Sequence, residues 1–178
     1  MACSLDKELI RKTIEFHGHN CPGLTIGIRA SELAMEKLDI QNVTSPVCVT
    51  ETDMCGVDAI QFLTGCSFGK GNLIHRDYGK SAFTFFDREA QKGFRAVFQD
   101  NFARKDADRE DRIKLLLEAD LKDLFTIRKI DTPPVRPARI LKSIPCDGCG
   151  EKTMESRIRL FDGQNFCIPC FQKVEQKI

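Results

Sequence analysis

The chemistry of this 178-residue chain is concentrated in nine cysteines and three histidines, most of them gathered in two groups. The first group is compact. "FHGHNCPG" (16–23) sets His17, His19 and Cys21 within five residues and follows them with Pro22. Imidazole and thiolate are both ligands for zinc, iron, nickel or copper, and alternate positions of a turning segment can point the same way. Proline is favoured at the first position of a helix, so Cys21 lies at a helix start. There the helix dipole favours the thiolate. The segment therefore offers either a metal ligand set or a reactive thiol with a histidine partner, with Cys21 and His19 as the candidate catalytic pair. The bland alternative is a satisfied core histidine beside a small buried cysteine.

Cys55 and Cys66 are the natural remaining ligands. If residues 56–65 are helical, eleven steps of about 1.5 Å separate the two sulfurs by roughly 16 Å, too far for one ion. Cys55, near the helix start, is the first choice and Cys66 the second. Asp58 is a further candidate whose plain alternative is a helix-capping acid. Cys3 and Cys48 read as structural, one near a terminus and the other inside a strand.

The second group is Cys146, Cys149, Cys167 and Cys170: C-x2-C, seventeen residues, then C-x2-C. That spacing belongs to zinc ribbons and related fingers. Four thiolates close a tetrahedral structural Zn2+ site and leave no open position. The intervening "ESRIRLFDGQNF" is strand-like around a "DGQ" turn, and "FQKVEQKI" reads as a terminal helix. Knuckle, hairpin and helix is the order of a treble clef. The module is too short to fold on apolar residues alone, so metal supplies the stability.

Other motifs fail. "GCSFGKG" (65–71) has three residues, not four, between Gly65 and Gly69, and no Ser or Thr after Lys70, so it is not a phosphate loop. There is no dinucleotide fingerprint and no nucleophile-elbow serine.

Several elements must position these groups. Leu5, Leu9, Ile10 and Ile14 recur at helical spacing, which predicts a helix over about 4–17 with His17 on its apolar stripe and Gly18 as its stop. From Pro22, two apolar faces (Leu24, Ile28, Met35, Leu38 and Ile26, Ala30, Leu33) predict a central helix. Residues 46–52 read as a strand and 57–65 as a short helix. Residues 81–87 and 93–99 read as a hairpin, 108–125 as one helix, and "TIRKID" as a further strand. Residues 131–145 hold four of the seven prolines, the mark of an extended linker. The expected architecture is an α+β core over 1–131, a proline-rich linker over 132–145, and a small C-terminal treble-clef zinc finger over 146–178.

Composition narrows the function. The chain carries 27 basic and 26 acidic residues, a balance that does not call for nucleic acid or an anionic membrane. No apolar run approaches the length of a membrane span, and the start lacks a secretory signal. The expected location is the cytoplasm, where cysteines serve as ligands, nucleophiles or buried residues rather than disulfides. Residues 132–178 carry eight basic and five acidic residues, a net of +3, compatible with nucleic acid but weak as a signal.

"FHGHNCPGLTIGIRA", "CGVDAIQFLTGCSFGKGNL" and "DYGKSAFTFF" together resemble the FmdE family of formylmethanofuran dehydrogenase components, over about residues 10–130. The tail resembles the treble-clef extension of some members. The resemblance implies an α+β core forming an intertwined homodimer. The family is named for a molybdenum or tungsten enzyme of methanogenesis whose chemistry belongs to other subunits. It carries functional positions onto His17, His19, Cys21, Cys55 and Cys66. The expectation is a metal-binding accessory protein with zinc in the finger and a second transition metal or reactive thiol in the core. Its partners would be a second copy and a molybdenum or tungsten enzyme complex. The rivals are a metal-sensing or nucleic-acid-binding regulator acting through the finger, and a stand-alone enzyme using Cys21.

Overall fold

The computed structural model describes residues 2–99, 108–134 and 140–174. Two compact units divide the chain at Arg136 and Pro137.

The first unit opens with α1 (Lys7–His17), whose N-cap Asp6 accepts hydrogen bonds from the Glu8 and Leu9 amides. It stops at Gly18, where φ is +91° and the amide donates to the Ile14 carbonyl, a left-handed exit that suits glycine. α2 (Pro22–Leu38) follows, with Leu24, Ile28, Ala30, Leu33 and Ala34 buried. It is the central helix that its two apolar faces predict.

The sheet has the order β2-β1-β3-β4-β5, from β1 (Pro46–Thr50), β2 (Leu73–His75), β3 (Ala82–Asp87), β4 (Lys92–Phe98) and β5 (Phe125–Ile130). Strands β1 and β2 run parallel and are connected through α3 (Gly56–Thr64); the other neighbours are antiparallel. The β3–β4 hairpin pairs Asp87 with Lys92, and the Asp87 carboxylate accepts from the Glu89 and Ala90 amides in its turn. Phe83, Phe85, Phe94 and Ala96 of the sheet join Ala30, Leu33 and Ile60 of the helices in one core cluster. The three-residue β2 has too short a run for periodicity to register, and its sequence carries no strand signal.

The helix expected over 108–125 is two helices: α4 (Arg109–Glu118) and α5 (Leu121–Leu124), parted at Ala119 with φ −70° and ψ 154°. Arg29, fully buried on α2, accounts for the break. Its guanidinium donates to the Leu117 carbonyl at 3.2 Å and the Ala119 carbonyl at 2.6 Å. The buried Ala119 carbonyl thus keeps a partner in place of the helical one it loses at the break, and the Leu117 carbonyl also accepts from the Cys3 amide at 2.7 Å. Glu32, 3.0 Å away, balances the guanidinium's charge.

The second unit contains β6 (Ser143–Pro145), β7 (Lys152–Met154), a 3-10 turn (Glu155–Arg157), β8 (Ile158–Phe161), β9 (Gln164–Cys167) and α6 (Ile168–Phe171). β6 pairs with β7 and β8 with β9. Asp162 and Gly163 turn the second hairpin with φ +47° and +73°, the two left-handed positions of a type I′ turn. Phe166 packs with Cys146 and Cys167, and Phe161, Phe171 and Val174 pack against them. Two expectations shift. Residues 143–145, read as linker, form β6. The terminal helix starts earlier, at Ile168, and is four residues long; residues 175–178 of the expected helix lie outside those described.

Candidate metal centre

One ligand atom from each of His17, His19, Cys21 and Cys55 lies within 4.8 Å of all the others. His17 is the last residue of α1, Cys21 is the N-cap of α2, and Cys55 is the N-cap of α3. Three chain segments thus meet at one point, with two helix N-termini on the sulfurs.

Glycine makes that meeting possible. A Cβ on Gly27 would stand 2.1 Å from the Gly56 carbonyl oxygen, and one on Gly56 would stand 2.9 Å from the Gly23 carbonyl oxygen. Helices α2 and α3 therefore touch backbone to backbone. Side chains at these positions would drive the helices apart and carry the two cysteines with them. Gly23 sits between the thiols: its Cβ would lie 3.9 Å from the Cys55 Sγ and 4.0 Å from the Cys21 Sγ. The Cys21 Sγ also accepts a hydrogen bond from the Leu24 amide at 3.3 Å.

The His17 side chain is only 9% exposed, and its Nδ1 lies 2.7 Å from Asp58 Oδ2. With Nδ1–H donated to the carboxylate, Nε2 becomes the lone-pair atom. That Nε2 is buried and has no hydrogen-bond partner. A buried polar atom without a partner is costly, and an ion among these groups would relieve the cost. Asp58, neither ligand nor helix cap, is the acid that orients the ligand. The His19 ring lies 4.4 Å from that of His17. Burial and the neighbouring Cys21 thiol hold the Cys55 thiol above its ordinary pKa, and a bound cation would reverse that. Two nitrogens and two sulfurs suit tetrahedral zinc and other borderline transition metals.

Cys66 is not part of this group. It lies beyond the far end of α3, fully buried in the main core beside Cys48. Burial pushes both of these thiols up. Lys70 donates to the Gly65 carbonyl at 3.0 Å and so caps the C-terminus of α3, which gives the glycine-rich loop a structural explanation. The G-x3-G spacing of Gly23 and Gly27 was the available sequence signal for the helix contact, and Asp58 gave no signal of its attachment to His17.

In the finger, Cys146, Cys149, Cys167 and Cys170 likewise lie with one ligand atom each within 4.8 Å. Cys149 and Cys167 are 3.9 Å apart, close to the ~3.8 Å edge of a tetrahedron with Zn–S bonds of about 2.3 Å. The Cys167 amide donates to the Cys146 Sγ at 3.2 Å, and that bond is the main reason its pKa falls to about 6. Cys170 is pushed to about 12, chiefly by its hydrogen bond with Cys167. Four such sulfurs imply zinc. All nine cysteines are free thiols. Among the described residues no helix is long and apolar enough to cross a membrane.

Comparison with known proteins places both units. The family model described as FmdE, molybdenum formylmethanofuran dehydrogenase operon, matches residues 16–127. A second, described as the prokaryotic dksA/traR C4-type zinc finger, matches residues 139–176. A probable S-adenosyl-L-methionine-binding protein of Archaeoglobus fulgidus is 29% identical over 195 aligned positions, which are 91% of this chain and 52% of the relative. The chain thus spans about half the length of that curated relative. The crystal structure of a tungsten formylmethanofuran dehydrogenase FmdE-like protein from Syntrophus aciditrophicus superposes with a TM-score of 0.74 at 23% identity, over 99% of this chain and 100% of the other. The likeness is one of fold.

Proposed function

The chain belongs to the FmdE family, and from that premise we propose that it is a metal-binding accessory protein with a structural zinc in the finger and a second transition metal held by His17, His19, Cys21 and Cys55. One observation carries the core site: the buried, unpartnered Nε2 of His17, fixed by Asp58 among two thiols and a second imidazole. Asp58 holds the ring and its tautomer, the helix N-termini favour the thiolates, and the glycine contact sets their separation. When bound, the ion would supply Lewis acidity or a rigid cross-link between α1, α2 and α3. Cys21 is 8% exposed, which favours a ligand over a freely accessible nucleophile.

The same reading makes the protein a cytoplasmic homodimer working beside a molybdenum or tungsten enzyme. The free thiols support a reducing compartment, and the family's description supports the partner. Metal analysis of protein purified without chelator tests the core: two ions per chain are expected, one per chain in Cys21→Ser, and two in Cys66→Ala. A single ion in the wild type refutes the core site. Light scattering tests the dimer.

A second reading, a regulator acting through the finger, draws on the net charge of +3 (eight basic, five acidic) over residues 132–178, whose excess of basic residues lies in the linker, and on exposed Leu160 and Met154 in the finger. Nucleic-acid binding of this kind weakens with salt. No binding of duplex or single-stranded DNA or RNA at low salt removes that form of the reading.

A further inference from the structure

The two histidines of the core cluster are held in opposite ways. His17 is buried and bonded to Asp58 at 2.7 Å. His19 is exposed, on the stretch Gly18–His19–Asn20 between α1 and α2, and its ring makes no hydrogen bond to any described residue. It packs against the His17 ring. The backbone beside it is tied down, since the Asn20 carbonyl accepts from the Arg109 guanidinium. The ring can therefore turn away without moving Cys21. Metal-bound histidines ordinarily donate their second nitrogen to a carboxylate or carbonyl, which fixes them. His17 has that support and His19 lacks it.

We propose that His19 is the exchangeable ligand of the core centre, and that a small-molecule thiol takes its place there. The proposal rests on the core metal reading above. Two features select a thiolate. The fixed donors Cys21 and Cys55 are soft. The N-termini of α2 and α3 converge on the site and favour an added negative charge. In the exchange the thiol loses its proton to solvent, its sulfur contributes a lone pair, and the His19 nitrogen leaves with its own. No electron is transferred. The resulting donor set of three sulfurs and one nitrogen is a known zinc combination.

The test uses the full chain under a phosphine reductant. Wild type is first confirmed to bind two zinc ions; one ion would refute the core metal reading itself and not the role of His19. His17→Ala should then retain one ion and His19→Ala two. His19→Ala falling to one, as His17→Ala does, overturns the proposal, because the two histidines would then be equivalent anchors. Cobalt-loaded wild type is next titrated with 2-mercaptoethanol, and the spectrum of cobalt-loaded His17→Ala is subtracted to remove the finger. Saturable growth of the sulfur-to-cobalt band at constant cobalt content is expected. A band that the thiol does not change, or cobalt stripped from the chain, overturns it.

Discussion

The finger gathers four sulfurs from two C-x2-C pairs inside a unit with only three buried hydrophobic residues among those described, two of them cysteine ligands. The core gathers its four ligand atoms from His17 to Cys55, 38 positions along the chain, by packing two helices against each other without side chains at the contact. In the finger, then, the metal organises the protein. In the core, apolar packing alone brings the candidate ligands together. The contrast appears in the burial: the core unit encloses Phe83, Phe85, Phe86 and a fully buried arginine, enough to fold on its own apolar surface.

The largest expected effect exploits this difference. Cys149→Ser, or strong chelation, should unfold the finger, because structural zinc supplies most of the folding free energy of such modules. Amide exchange over residues 140–174 should become unprotected while the strands of the core sheet keep their protection. Loss of protection in both units would break the comparison. Gly27→Ala comes next. A Cβ 2.1 Å from a backbone oxygen cannot be accommodated by rotating a side chain, so thermal or urea unfolding of the core should show a loss of about 2 kcal/mol. The core ion should bind more weakly and the finger ion unchanged.

Asp58→Asn is milder. It should leave the fold intact and weaken core metal affinity about 10- to 100-fold in a competition titration, with no change at the finger. The smallest effect is on acid stability. The Arg95 guanidinium, paired with Glu51 at 2.6 and 2.7 Å, holds that carboxylate below the usual range. A depressed folded pKa stabilises above the unfolded value of about 4.3 and loses that contribution as pH falls through the folded value. Urea unfolding of the core should therefore fall more steeply below about pH 4 in wild type than in Glu51→Gln. Equal slopes would mean that the pair contributes nothing to the core.

Local features were legible in the sequence because their causes are local. The spacing of the four finger cysteines, the Asp162–Gly163 turn, the stop at Gly18, the start at Pro22 and the apolar stripes of α1 and α2 each depend on residues close together in the chain. The separation of Cys55 from Cys66 followed from helical rise alone. What tertiary structure decided were contacts between segments distant in the chain. Arg29 splits the helix expected over 108–125 by bonding carbonyls 88 and 90 positions away. Asp58 reaches His17 across 41 positions. Gly56 meets Gly23 and Gly27. No periodicity encodes such meetings, because they depend on how helices already formed pack together, and that packing is a property of the whole core.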